Sequence, residues 1–366
     1  MVKHMKRRAK FGIVTIATLA IAANLYAGRF GSTPPFLDGS GAVVTGSVAT
    51  MERIYLGGVE QSVTIRGRVA NSPILILLHG GPGMDATGMW RFHNAALEDH
   101  FVVVYWTQRG TGRSYSSGIP VKSMTLDQFV ADLNQLVGIL KRRFGQSKVV
   151  LAGHSWGTNI GVAYAQAHPE NVSAYIGIGQ IANAAESERR SYAFTVAQAK
   201  KRGDAEALVD LTKIGPPPYP TDALLIQRGW LDKFGGAWQK PTSMFQLMLT
   251  SYKASELTWY DGVKFNAGID FSLKALGPQI DKIDWMGKAT RFAVPVFIVA
   301  GRHDRNSDAN LAHEYFDKIG APVKQFKWFE QSAHSPPFEE PAKFNAFMIN
   351  DVLPVAFKAQ RGKVAH

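Results

Sequence analysis

The sequence contains no cysteine. Disulfides, thiolate metal ligands and a cysteine nucleophile are therefore excluded. Nucleic-acid signatures are missing as well. There is no zinc-finger spacing, no RNP-like stretch and no Lys/Arg run longer than three residues, so nucleic acid is not expected as a partner. No internal repeat and no low-complexity segment interrupts the 366 residues. With 46% hydrophobic and 19% charged residues, the composition is that of a globular chain, one large domain or a core with an insertion. Acid is absent from residues 1–27, where Lys3, Lys6, Arg7, Arg8 and Lys10 account for five positive charges. They leave a balance of +7 from the net +12.

Those basic residues precede an uncharged apolar stretch, Phe11 to Ala23, and then small residues up to Ala27. A basic region, an apolar run and a small-residue site form the pattern of a secretory signal. The stretch is somewhat short of the roughly 20 residues of a full membrane span. Residues 1–27 thus read as a signal peptide or an N-terminal membrane anchor, and the expected location is exported, in the periplasm or at the membrane of a bacterium.

Beyond this segment, strand-like and helix-like stretches alternate. Residues 72–80, 101–108, 148–155 and 172–180 are continuous apolar runs, as strands buried on both faces must be. Between them, residues 125–145 carry Leu126, Phe129, Val130, Leu133, Leu136, Val137 and Leu140 at a 3.6-residue period, with Thr125 and Gly145 as caps. This rhythm predicts an α/β fold, a mostly parallel sheet with helices on both faces. It breaks near Ile181 and resumes near Ala293. The core is therefore expected at 50–182 and 291–358, with a helical cap inserted at 183–290. That insertion holds Trp230, Trp238, Trp259 and Trp285, half of the eight tryptophans.

Ser155 stands between Gly153 and Gly157, where a buried strand must become a helix. Gly-x-Ser-x-Gly in that context is a nucleophile elbow, a strained turn that projects its hydroxyl above the sheet edge. A serine hydroxyl needs a neutral imidazole to take its proton, and the imidazole needs a carboxylate to fix its tautomer. His334 follows the last strand and Asp304 the strand before it, in the order Ser155, Asp304, His334 that this fold uses. Asp308 is read as a helix cap, and His154 and His303 as structural neighbours. The "HGGPG" loop, residues 79–83, offers the amide of Gly81, and the elbow offers that of Trp156, as an oxyanion hole. His79 is read as a support for that loop. No Gly-Lys-Ser/Thr is present to make the loop a phosphate cradle.

Together, "HGGPG", "YWTQRGTGRS" (105–114), "GHSWG", "AGRHD" and "SAHSP" resemble the proline iminopeptidase (prolyl aminopeptidase) branch of the α/β-hydrolase fold, across roughly residues 50–358. The resemblance implies a serine hydrolase that needs no cofactor or metal. It implies a short-peptide or amide substrate with an N-terminal proline or small apolar residue. The alternatives are a carboxylesterase for small hydrophobic esters and, in another class, a binding protein on the same fold. In the family's peptidases, acidic residues of the cap hold the substrate amine, and Glu186 and Glu188 are the candidates here. The family usually has Asp-Gln-Arg-Gly where this chain has Thr107-Gln108-Arg109-Gly110, which leaves Arg109 short of one expected carboxylate.

The N-terminal reading predicts that fractionation finds the protein outside the soluble cytoplasm. Removal of residues 1–27 should leave hydrolysis intact, because no candidate catalytic residue lies there; full-length protein in the soluble cytoplasm would refute the export reading.

Overall fold

A computed structural model describes residues 31–240 and 244–361. The signal or anchor segment at 1–27 lies outside the described residues. Eight strands form one sheet: β1 (Val48–Leu56), β2 (Val59–Gly67), β3 (Ile74–Leu78), β4 (Val102–Thr107), β5 (Val149–His154), β6 (Val172–Ile178), β7 (Val296–Gly301) and β8 (Lys324–Phe329). Their spatial order is β1-β2-β4-β3-β5-β6-β7-β8. The pairs β1/β2 and β2/β4 are antiparallel and the others parallel.

The apolar runs become these strands because both faces of the sheet are covered. Ile74, Ile76 and Leu78 pack with Val102, Val104 and Leu151 on one face. Leu75, Leu77, Val103, Val150 and Ile176 pack on the other. Side chains alternate across a strand, so a continuous apolar run serves two cores at once. The first core is closed by α2 (Leu126–Phe144) through Phe129, Leu133, Leu136, Val137 and Leu140, all on its apolar stripe. As expected, Thr125 accepts the Gln128 amide and Gly145 closes the helix in the left-handed region at φ 63°. The second core is closed by Trp90 of α1 (Thr87–Asn94) and by Phe344, Phe347 and Met348 near the C-terminus.

The β1/β2 hairpin begins at Val48, two residues ahead of the expected core boundary at 50. Its turn is Gly57-Gly58, with φ of 55° and 77°. Two adjacent positive φ values make the turn whose twist suits paired strands. Between β6 and β7 the chain leaves the sheet. This insertion contributes α4 (Ala184–Arg202), α5 (Ala205–Ile214), α6 (Thr221–Lys233), α7 (Met244–Ser251), α8 (Trp259–Ile280) and α9 (Trp285–Lys288), following α3 (Trp156–Ala167) of the core. The closing segment is α10 (Ala309–Lys318), β8, α11 (Pro336–Glu339), α12 (Pro341–Phe347) and α13 (Leu353–Arg361). A π turn at Met348–Val352 lies between α12 and α13.

Arg109 does not lack a carboxylate. Its Nε and Nη2 donate to Asp132 of α2 at 2.9 and 3.0 Å, and Nη2 also reaches the Leu56 and Gly57 carbonyls of the hairpin turn. Both partners are buried. The pair joins the end of β4 to α2 and to the hairpin. Removing one member of a buried pair leaves the other charged and unsolvated, so Asp132→Ala should cost about 3–5 kcal/mol in denaturant unfolding. Glu52→Ala, which breaks a half-exposed pair with Arg143, should cost at most about 1 kcal/mol.

Candidate active site

The turn between β5 and α3 is as tight as the sequence required. Ser155 has φ 53° and ψ −118°, one of two non-glycine residues with positive φ among the described residues. A Cβ at Gly153 would lie 2.5 Å from the Gly157 carbonyl oxygen, and a Cβ at Gly157 2.0 Å from that of Leu78. No side chain fits at either place, which is why glycine flanks the serine. The Ser155 amide donates to the Ile178 carbonyl at 2.9 Å, anchoring the elbow to β6.

Asp304 follows β7 and His334 follows β8. His334 Nδ1 donates to Asp304 Oδ2 at 3.0 Å. The carboxylate also accepts the Asn306 and Ser307 amides at 2.8 and 3.1 Å and the Ser307 hydroxyl at 2.8 Å. Burial by itself would raise the Asp304 carboxyl, but the imidazole and the Ser307 donors outweigh it and bring its pKa below the ordinary value. His334 Nε2 is buried without a hydrogen-bond partner. Ser155, Trp156, Gly81, Ser307 and His334 all line one cavity of about 860 Å³. At its floor, a Cβ on Gly80 would meet Ser155 Cβ at 3.1 Å, and one on Gly179 would meet His334 Cε1 at 2.9 Å. Serine, imidazole and the glycine-rich loop thus converge.

The supports of this arrangement were only partly legible in the sequence. His79 carries its loop as expected. Its Nε2 accepts the Gln108 amide at 3.0 Å, so its proton sits on Nδ1, which donates to the Gly80 carbonyl at 2.9 Å. Gln108, not foreseen, ties the two oxyanion segments together. Its Nε2 donates to the His79 carbonyl at 3.2 Å, and its Oε1 accepts the Trp156 indole N–H at 3.2 Å. The loop bearing His334 is held from below by two further unforeseen residues. Glu339 accepts the Ala333 and Ser335 amides, both at 3.0 Å, and Glu340 accepts the Gln331 amide at 3.0 Å and the Ser332 hydroxyl at 2.6 Å. His154 Nε2 donates to the His334 carbonyl at 3.0 Å. Asp308 caps α10 by accepting the Leu311 amide at 2.9 Å, and His303 lies outside the cavity lining.

The two glutamates of α4 are separated by the structure. Glu186 is absent from the cavity lining and pairs with Arg189 at 2.6 Å and Arg190 at 2.7 Å. Hydrogen bonds from Arg189 and then Arg190 pull its carboxyl down to about 2. Glu186 is therefore a partner in a surface ion-pair cluster and is corrected as a candidate for substrate contact. Glu188, two residues on, lines the cavity and bonds Arg228. Thr107 donates to Asp85 at 3.1 Å, and Asp85 lines the cavity too. Among the described residues there is no group of three or more His, Cys, Asp or Glu that could hold a metal ion.

Burial lowers the His79 imidazole, and it holds the His154 imidazole down at about 3. Both are neutral in the folded chain where the unfolded chain has already taken up protons. Stability should then fall as pH drops below about 6.5, by about 1.4 kcal/mol per pH unit for each group, until the folded pKa is reached. His154→Gln retains a donor for the His334 carbonyl and should flatten this fall in thermal melts taken between neutral and acid pH. An unchanged slope would show that His154 is not the group responsible.

A family model described as the alpha/beta hydrolase fold matches residues 73–199. The probable aminopeptidase YbaC of Bacillus subtilis is 33% identical over 303 residues, covering 81% of this chain and 94% of the relative. The proline iminopeptidase of Heyndrickxia coagulans is 24% identical over 291 residues, covering 76% and 90%. Among solved structures, a proline iminopeptidase of Mycobacterium smegmatis superposes with a TM-score of 0.62 at 18% identity, over 86% of this chain and 99% of that one. The chain is a hydrolase and belongs to the α/β-hydrolase fold family, in its proline iminopeptidase-like branch.

Proposed function

We propose that the protein is a serine aminopeptidase that releases an N-terminal residue from short peptides or amides. Ser155 Oγ attacks the carbonyl carbon as His334 Nε2 takes its proton. Asp304 fixes the imidazole with its proton on Nδ1 and stabilises the imidazolium. The amides of Gly81 and Trp156 receive the oxyanion. The proton passes to the departing amine, and water then hydrolyses the acyl-enzyme with His334 again as base. Because the members act as a unit, Ser155→Ala and His334→Ala should each lower kcat by several orders of magnitude and should not add in the double variant. Normal turnover by folded Ser155→Ala protein would overturn the mechanism.

One observation carries the choice of an amine-bearing substrate. The cavity that holds Ser155 is lined at the insertion by Glu188, Asp232 and Asp281. The cations facing the same space are Arg228, bonded to Glu188, and Lys274, paired with Asp270 at 2.9 Å. Burial and then the neighbouring Glu188 raise the Asp281 carboxyl, a sign of carboxylates close enough to repel. The second oxygen of Glu188 is buried without a hydrogen-bond partner. A substrate ammonium would relieve this excess of negative charge. The second reading, a carboxylesterase, draws on the Arg228 bond, which neutralises Glu188 and leaves a largely apolar wall of Leu224, Leu257, Phe265 and Ile269.

Glu188→Gln decides between them. On prolyl-p-nitroanilide it should raise KM and cost about 2–5 kcal/mol in kcat/KM, as loss of one member of a desolvated pair does. On p-nitrophenyl acetate, which has no amine, it should change little. Equal losses would mean a disturbed fold, and no loss on either would put the esterase first. Export with residues 1–27 as signal or anchor completes the proposal, supported by their basic-then-apolar sequence.

A further inference from the structure

We propose that the protein lies on an anionic bilayer with one particular face, formed by α1, α7 and the loop before α8, so that the wall of the cavity is presented to lipid. The proposal rests on the reading of residues 1–27 as a retained membrane anchor. The point at which the chain joins the folded domain is fixed by hydrogen bonds. Ser32 donates its amide to the Ser255 carbonyl at 3.0 Å, and Thr33 Oγ1 donates to Glu256 Oε1 at 2.7 Å. Arg66 Nη1, part of a buried pair with Glu98, holds the Pro34 carbonyl at 2.6 Å. Ser32 lies five positions along the chain from Ala27 and nine from Ala23. At about 3.6 Å per extended residue these tethers reach at most about 18 and about 32 Å. An anchored chain must hold the loop at Ser255 within that distance of the membrane.

The surface around this point suits such a position. Phe92 on α1 is 48% exposed and Leu249 on α7 is 50% exposed. The two helices touch so closely that a Cβ on Gly88 would lie 2.4 Å from the Ser251 carbonyl oxygen. Lys253, also exposed, sets its ammonium 4.5 Å over the Phe92 ring. An aromatic ring with a lysine beside it is the combination that favours the headgroup boundary, the ring toward the acyl chains and the ammonium toward phosphate. The balance of +7 outside residues 1–27 adds long-range attraction to an anionic surface. The other side of this wall is the cavity, which Leu247, Ser251, Tyr252 and Leu257 line. The same short stretch of chain therefore meets the lipid and bounds the space above Ser155, which gives amphiphilic substrates dissolved in the bilayer a short route to the hydroxyl.

The absence of cysteine makes the test clean, because each introduced cysteine is the sole labelling site. Phe92→Cys, Leu249→Cys and Val323→Cys full-length proteins would carry a nitroxide. Val323 is the control, 41% exposed just before β8, at the sheet edge opposite Ser155. Only labelled proteins that hydrolyse a soluble substrate at the parent rate are used. They are incorporated into phosphatidylethanolamine–phosphatidylglycerol vesicles, and flotation is measured alongside relaxation by oxygen and by an aqueous nickel chelate. The expected result is flotation, with labels at 92 and 249 becoming more accessible to oxygen and shielded from nickel while the label at 323 stays open to nickel. Flotation with all three labels open to nickel would overturn the orientation and leave the anchor reading standing. Failure to float would remove the anchor reading and the proposal with it. Shielding of 92 and 249 already in detergent-free solution without vesicles would assign the face to a second copy of the chain and overturn the bilayer.

Discussion

Everything in the candidate site hangs on the geometry of one turn. Ser155 sits at φ 53° between a strand buried on both faces and a helix packed beneath it. The turn survives in this unfavourable region because its surroundings over-determine it. β5 is paired on both sides, with β3 and β6, so its end cannot shift. At Gly157 even a Cβ would lie 2.0 Å from the Leu78 carbonyl oxygen, so the start of α3 packs closely on the end of β3. A hydroxyl held in this way has few alternative positions, and the catalytic partners need only be brought to it.

They are brought by buried polar contacts more than by apolar packing. Gln108 bonds the His79 carbonyl on one side and the Trp156 indole on the other, so the two segments that offer oxyanion donors share one brace. Asp304 is surrounded by donors on a short loop after β7. Glu339 and Glu340 do the reverse for His334, accepting the amides of its loop from a helix that follows it. A satisfied polar network in a low-dielectric interior is stiff, because every lost bond leaves a costly orphan. The insertion is fastened by the same means. Arg91 joins Glu98 of the core to Glu256 of the insertion at 2.5 and 2.9 Å, and Arg113 joins Asp261 at 2.6 Å. Such pairs define one docking geometry, since a displaced insertion would leave buried charges unpaired. The roof of the cavity is thus set in register with its floor.

Within that roof, two glutamates two residues apart on one helix have different fates. Residues at this spacing do not share a face of a helix. Glu186 turns to Arg189 and Arg190, while Glu188 turns to Arg228 and the cavity. The departure at Thr107 resolves in a similar way. The carboxylate that Arg109 needs comes from Asp132, and Thr107 hydrogen-bonds Asp85 across the site.

The sequence alone determined the sheet strands after the hairpin, the elbow, and the chain order of serine, aspartate and histidine. These depend on local rules: apolar runs long enough for one strand, glycines where a Cβ cannot fit, and polar residues just past strand ends. The β1/β2 hairpin was equally local, written in Gly57-Gly58, but β1 is half-exposed at the sheet edge and neither strand carries a continuous apolar run. What only the tertiary structure decided is which distant groups meet. Nothing near Arg109 in sequence points to Asp132, 23 residues away, and nothing near Glu188 points to Arg228, 40 residues away. The brace at Gln108 is in the same position, 29 residues from His79 and 48 from Trp156. A side chain's partner across the fold is set by how the elements pack, and that packing is a property of the whole chain, which no window of sequence contains.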